Sequence, residues 1–370
     1  MTHLKSAYIQ SYRGLHHIDC KNLTGMNVFV GENNSGKTSI LEAIQLMSNP
    51  TSAREFQNVS RLRERSYLGR RYTSSEDLLI WMFALKPDQT LERDEIFMKY
   101  QTTNHLIELK SSFEVDEFVL LKEESENNLE SADNLFNEEV VKQVTIDVDL
   151  KVDDEINRVE HVFEEFSPSH PRLYEQKNPF FKASFITAID HKVYPLSTNI
   201  LNEMIKSGKR SELVKALQQF DPKIIGIELL MDRVSRYRTM TIPYIQHEEL
   251  GLVPISMFGD GLRKALLIAT RIIQSAEGVL LIDEIETGVH TKLIPSFFEW
   301  ITQMCIVYKV QLFATTHSLE ALDGILKANL EDVSSLSVFR LEGEERTSKI
   351  RRFSGEQLKK LRYTLGQDVR

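Results

Sequence analysis

The sequence predicts an α/β protein whose core is a mostly parallel sheet covered by helices on both faces. Three observations carry this expectation. Short apolar runs alternate with helical periodicity at both ends of the chain, a glycine-rich segment stands between one such run and a helix, and two adjacent carboxylates close another run.

Taken in order, residues 4–12 and 16–21 read as strands, and 26–30 as a short buried strand before a polar loop. The helix that follows carries Ile40, Leu41, Ile44 and Met47 at helical spacing, and Asn49-Pro50 stops it. Residues 54–71 are rich in arginine (Arg54, Arg61, Arg63, Arg65, Arg70, Arg71), which a solvated helix face explains more simply than a phosphate-binding patch. Runs at 96–101, 105–110, 113–121, 144–152 and 159–166 alternate as strands do and predict an antiparallel meander. The acidic stretch 123–139, with no basic residue, reads as an exposed loop. Residues 196–220 are helical in pattern, and 222–254 return to short strands with a second basic cluster, Arg233, Arg236 and Arg238.

From 255 onward a helix at 262–274, a buried strand at 279–282, a helix at 293–308, a buried strand at 310–314 and a helix at 319–327 are expected. Residues 1–50 and 251–370 thus form one α/β core, and 51–250 an excursion carrying the meander and a helical subdomain.

Composition narrows the function classes. The chain has 370 residues and a formal net charge of −9, which argues against coating nucleic acid by bulk charge and leaves only local basic patches for that purpose. Its two cysteines, Cys20 and Cys305, have no partner spacing for a tetrahedral zinc site, and a reduced, cytoplasmic setting is the simplest expectation. No apolar run approaches the roughly 18 residues of a membrane span, so no membrane association is expected.

The chemistry starts with Gly31-Glu32-Asn33-Asn34-Ser35-Gly36-Lys37-Thr38-Ser39, whose first eight residues satisfy the phosphate-loop pattern between a buried strand and a helix. Glycines let the backbone wrap a phosphate, so that N–H groups and the helix N-terminus face its charge. Lys37 can then reach the terminal phosphates of ATP, and the Thr38 hydroxyl can ligate Mg²⁺. The strand 279–282 ends in Asp283-Glu284, at the edge of a parallel sheet where ligands bind. Asp283 is placed to hold Mg²⁺, and Glu284 to orient and deprotonate a water. Gly259-Asp260-Gly261 precedes a helix and could present N–H groups to a phosphate, and Thr315-Thr316-His317-Ser318 after a strand offers an imidazole near the terminal phosphate. Alone, a Gly-Asp-Gly turn or a histidine after a strand is as readily structural; four such features in this order point to nucleotide hydrolysis.

This order resembles the ATP-binding-cassette (ABC) ATPases of the SMC/RecF class, and within them the ATPase module of the overcoming-lysogenization-defect (OLD) family of anti-phage proteins. The resemblance rests on Tyr12-Arg13-Gly14-Leu15, the phosphate loop as Walker A, Phe258-Gly259-Asp260-Gly261-Leu262 as a signature-like motif, Asp283-Glu284-Ile285-Glu286 as Walker B, and His317 as the switch histidine. The ending Gly366-Gln367-Asp368-Val369-Arg370 fits too. It implies one ABC-type ATPase domain over 1–370, with ATP and Mg²⁺ as cofactors and Arg13 near the nucleotide. It also implies a homodimer or higher even oligomer in which two ATP molecules lie between Walker A of one subunit and the signature turn of the other.

The signature departs from Ser-Gly-Gly-Gln. No clear glutamine loop is present; Phe185-Ile186-Thr187 and Ile245-Gln246 are the candidates. About fifty residues follow His317, too few for the Toprim nuclease domain that full-length OLD proteins carry. The resemblance therefore implies a separate nuclease-like effector controlled by an ATP switch. The alternatives are a RecF-like DNA repair clamp, using the arginine clusters, and a nucleotide-gated scaffold with negligible turnover. Absence of an Asn-Lys-x-Asp motif favours ATP over GTP.

Overall fold

The computed structural model describes residues 3–66, 74–85, 93, 95–121, 138–164, 179–193, 198–235, 238–344 and 347–370. From the N-terminus run β1 (Leu4–Tyr12), β2 (Leu15–Cys20), β3 (Met26–Gly31), α1 (Lys37–Ser48), α2 (Ala53–Ser60) and α3 (Ser75–Ile80). The strands β4 (Ile96–Thr102), β5 (Leu106–Leu121), β6 (Glu138–Val152), β7 (Glu155–Glu164) and β8 (Ala183–Ile186) follow, then α4 (Asp190–Val193), α5 (Thr198–Lys206) and α6 (Arg210–Gln218). Next come β9 (Ile224–Ser235), β10 (Arg238–His247), β11 (Gly251–Pro254), α7 (Asp260–Gln274), β12 (Val279–Ile282), α8 (Ile294–Tyr308) and β13 (Gln311–Thr315). The chain closes with α9 (Leu319–Ala328), β14 (Leu336–Glu344), β15 (Thr347–Ser354) and α10 (Gly355–Lys359).

The described residues form three sheets. The central one has the order β15-β14-β3-β13-β12-β8, parallel except for the antiparallel edge strand β15. A second, wholly antiparallel sheet has the order β2-β1-β4-β5-β6-β7, and β11-β10-β9 form a third.

The two faces of the central sheet follow from the period of two along each strand. Val28 and Val30 of β3, Leu280 and Ile282 of β12, and Leu312 and Ala314 of β13 pack into one core with α7, α8 and α9. Phe29, Leu281 and Phe313, on the other face, join α1 and the buried face of the antiparallel sheet. These strands are therefore buried on both faces and mostly apolar, with Asn27, Gln311 and Thr315 as buried polar exceptions. Buried Gln311 ties the two sheets together. Its Oε1 accepts from the N–H groups of His3 at 2.9 Å and Leu4 at 2.8 Å, and its Nε2 donates to the carbonyls of Leu4 at 2.9 Å and Thr24 at 2.8 Å.

Several elements differ from the sequence expectation. Residues 51–250, read as an excursion, contribute to both larger sheets: β4 pairs with β1, and β8 pairs in parallel with β12. Apolar alternation marks a strand but carries no information on its neighbour. The helical stretch 196–220 is two helices parted at Gly208, whose φ is 79°. The two runs at 105–121 are one strand of 16 residues, and 222–254 hold a long hairpin rather than only short strands. The acidic run lies mostly outside the described residues, as do Arg70 and Arg71 and the side chains of Arg65, Arg233, Arg236 and Arg238.

Candidate nucleotide-binding site

β3 is buried along its length and ends at Gly31, where φ is 144°. A Cβ there would lie 2.4 Å from the Leu341 carbonyl oxygen of β14, so glycine alone lets the loop leave so close to its neighbour. Asn34 (φ 65°) and Gly36 (φ 95°) continue in left-handed conformations and bring the chain into α1. Gly36 caps α1 without a side chain, which keeps the helix's first N–H groups and its positive dipole end for an anion. Lys37 Nζ spans the loop, donating to the carbonyls of Gly31 at 3.0 Å and Glu32 at 2.6 Å and to Ser35 Oγ at 3.3 Å. Its burial lowers the ammonium pKa, opposed by Asp283, Glu284 and Glu286.

The acidic pair stands opposite, at the end of β12. Both Asp283 carboxylate oxygens accept from Thr38 Oγ1 at 3.1 Å, and Oδ1 also accepts from Thr315 Oγ1 at 2.6 Å. Burial raises the Asp283 pKa while the two hydroxyls work against it. Thr315 Oγ1 in turn accepts the Glu284 N–H at 2.8 Å. One hydroxyl thus fixes both acids. Glu284 sits at φ 47°, and its Oε2 accepts from Thr287 Oγ1 at 3.0 Å. Glu286 Oε1 accepts the His317 N–H at 3.1 Å, and Arg370 Nη1 donates to the His317 carbonyl at 2.9 Å, so the loop after β13 is held from two sides.

A cavity of about 510 Å³ opens between these elements, lined by Asn33, Asn34, Gly36, Lys37, Thr38, Ser39, Asp283, Glu284 and His317. Gly31 and Ser35 shape the loop without lining the cavity. Two groups that the resemblance implies do not line this chain's own cavity, and of these the Gly259–Gly261 turn is expected at a partner subunit's nucleotide. Arg13 does not line the cavity: its Nε lies 2.7 Å from Glu42 Oε2, and Nη1 donates to the Trp81 carbonyl at 3.3 Å. Gly259, Asp260 and Gly261 do not line their own chain's cavity either, and Asp260 pairs with Arg263 and with Lys192 Nζ at 3.3 Å.

The cavity also holds residues that motif reading missed. Arg63, from the expected solvated run, lines it, donating to Glu42 Oε1 and Oε2 at 2.7 and 3.0 Å and to Ser39 Oγ at 2.8 Å. Nothing in the spacing distinguishes Arg63 from its neighbours; the buried Glu42 of α1, one turn beyond the phosphate loop, is the nearest signal. Phe185 and Thr187 at the end of β8 are lining residues too, whereas Gln246 lies in β10, with its side chain over Gly226.

The donor set suits a hard divalent cation. A hydroxyl and a carboxylate converge, and among the described residues no group of three or more His, Cys, Asp or Glu could hold a metal by itself. Such a site fits Mg²⁺, which keeps waters and phosphate oxygens as its other ligands.

Loop, sheet order and acid pair define a P-loop protein of the ABC/SMC type. Residues 26–323 match the family described as "AAA domain, putative AbiEii toxin, Type IV TA system", and the chain belongs to that family. It is 22% identical over 381 residues to an "ATP/GTP phosphatase" of Helicobacter pylori, with 96% of each chain covered. A shorter match, 40% over 63 residues and 17% of each chain, is to the DNA replication and repair protein RecF of Nitrosococcus oceani. Among solved structures, an SMC head bound to the C-winged helix domain of ScpA is similar over 96% of this chain and 99% of that one. Its TM-score is 0.53 at 10% identity, a likeness of fold. Among the described residues no helix is long and apolar enough to cross a membrane.

Proposed function

We propose that the chain is a single cytoplasmic ATPase domain that binds ATP with Mg²⁺, closes as a homodimer around it, and reopens on hydrolysis. The observation that carries this reading is the chain Thr38–Asp283–Thr315–Glu284: the Thr38 and Thr315 hydroxyls both hold the Asp283 carboxylate, and Thr315 also takes the backbone N–H of Glu284, which ties the residue bearing the second carboxylate to the first. Thr38 and Asp283 would hold the Mg²⁺, which supplies charge neutralisation on the phosphate oxygens when bound. Lys37 exchanges its loop carbonyls for phosphate oxygens, and the N–H groups of Asn33–Ser39 cradle them. Glu284 orients the attacking water and takes its proton, with His317 beside the departing phosphate. The full-length match to a protein named ATP/GTP phosphatase supports hydrolysis.

The test is steady-state phosphate release with nucleotide binding measured in parallel. Glu284→Gln should lower turnover by about 10²–10⁴-fold, the usual worth of a positioned general base, and keep nucleotide affinity. Lys37→Ala should weaken binding itself. Turnover of Glu284→Gln at the wild-type rate would falsify the assignment.

ATP then acts as a bridge between two copies: its terminal phosphate adds contacts only in the closed state, so hydrolysis removes the differential affinity holding it. Through the resemblance to the OLD module, the switch controls a separate nuclease-like effector in anti-phage defence. Co-purification with such a subunit, and its activation by ATP, checks this. The second reading, a RecF-like clamp, draws on the RecF match. Of its first arginine cluster, Arg63 faces the cavity and Arg61 pairs with Ser75, which leaves less for DNA. A DNA affinity falling steeply with salt, and relieved by Arg54→Ala, would favour the clamp.

A further inference from the structure

Lysine is almost never fully buried without a partner charge, yet Lys264 of α7 has no exposed surface. It lies three residues beyond Gly259-Asp260-Gly261, on the helix those residues open. Its Nζ donates to two carbonyls, Glu284 at 2.9 Å and Thr287 at 2.7 Å, both in the turn that leaves β12. The two carbonyls take two of the side chain's N–H donors. Burial lowers its pKa to about 7, against the pull of Glu286, Glu284 and Asp283.

The Glu284 backbone is consequently gripped on both sides of its Cα, its N–H by Thr315 of β13 and its carbonyl by Lys264 of α7. This matters because Glu284 is left-handed at φ 47°, a conformation that a residue other than glycine keeps only with support from its surroundings. A second contact joins the same two turns. The His191 imidazole is buried with no hydrogen-bond partner on either nitrogen. A Cβ on Gly288 would come within 3.0 Å of its Nε2 and 3.4 Å of Asp260 Cβ. The turn that opens α7 and the turn that carries Glu284 are packed as one unit.

We propose that Lys264 is a positioning residue that couples the Gly259–Gly261 turn to the Glu284 carboxylate of the same chain. A helix moves as a rigid body. A nucleotide phosphate of a second copy pressing on the turn therefore shifts Lys264 and, through the Glu284 carbonyl, the residue that handles the water. The site whose turn is engaged becomes the site set for hydrolysis, which links the two nucleotides of a dimer. This proposal rests on Glu284 as the general base.

Lys264→Met, close in shape but without donors, tests it by phosphate release and equilibrium ATP binding. Expected are a kcat about tenfold or more below wild type, a Kd for ATP within about threefold, and little further loss when combined with Glu284→Gln. Lys264→Gln, which keeps two N–H donors on a shorter chain, should fall between Met and wild type. A folded Met variant with wild-type kcat, or with its whole loss in KM, overturns the proposal. Should the Met variant not fold, Gly288→Ala is read instead: lowered kcat with ATP affinity kept supports the coupling, and wild-type kcat overturns it. Failure of the general-base reading appears separately, as wild-type turnover of Glu284→Gln.

Discussion

Thr315 shows how much one hydroxyl does at this site, since it donates to Asp283 and accepts from Glu284. Thr315→Val keeps the shape, takes one of two hydroxyl donors from the part-buried Asp283 carboxylate and leaves the part-buried Glu284 N–H without its partner. A loss of about 1–3 kcal/mol is expected, read as a lower Cm in urea, together with reduced phosphate release. The sequence presented Thr315 only as a neighbour of His317. His191 is a second such residue. Burial and the nearby Lys264 lower its pKa from 6.5 to about 4, with Lys192 and Arg263 adding to the effect and Asp260 opposing it. The unfolded chain gains a proton below pH 6.5 and the folded chain only near 4, so this contribution to stability is complete above 6.5 and lost as pH falls from 6.5 to 4. Thermal unfolding followed by circular dichroism should show that acid loss in wild type and a flatter curve for His191→Gln. Parallel curves would mean that the imidazole is hydrated in the folded chain.

At the level of elements, the phosphate loop is the best-determined part of the site, because its pattern is contiguous and its glycines serve backbone geometry. Gly31→Ala tests this. The added Cβ meets a backbone oxygen of β14, which cannot rotate away, so β3 and β14 must part. A stability loss of about 1–3 kcal/mol is expected from such strain, with weaker ATP binding, measured by denaturant titration and nucleotide fluorescence. Helix α7 is legible in the same local way, as a strongly amphipathic run, yet its buried Lys264 breaks the apolar pattern without announcing a partner twenty residues away. Arg63 is a mixed case. An arginine-rich run reads as solvated, and Arg63 does remain about half exposed, but the buried Glu42 that brings it to the cavity lies on another element.

For the whole molecule, the prediction concerns assembly. Gly259 has an ordinary φ of −65° and open space around a notional Cβ, so Gly259→Leu should fold with unchanged Tm. In Glu284→Gln with ATP, sedimentation should report a doubled mass, and adding Gly259→Leu should return the monomer if that turn meets a partner's nucleotide. A doubled mass that survives the leucine would place the contact elsewhere. The resemblance implies Arg13 near the nucleotide; in the structure it follows β1 of the antiparallel sheet, and its guanidinium pairs with Glu42 of α1, a residue that itself lines the cavity.

The sequence by itself determined the phosphate loop, the acid pair, the order of apolar strands and the α/β class, all encoded by residues adjacent in the chain and by periods of two and 3.6. The tertiary structure decided which strands are neighbours, that β8 and the meander complete sheets begun by β3 and β1, and which charged groups converge on the cavity or are buried beneath it. Those outcomes depend on contacts between residues far apart in sequence, where burial, not local propensity, selects the partner.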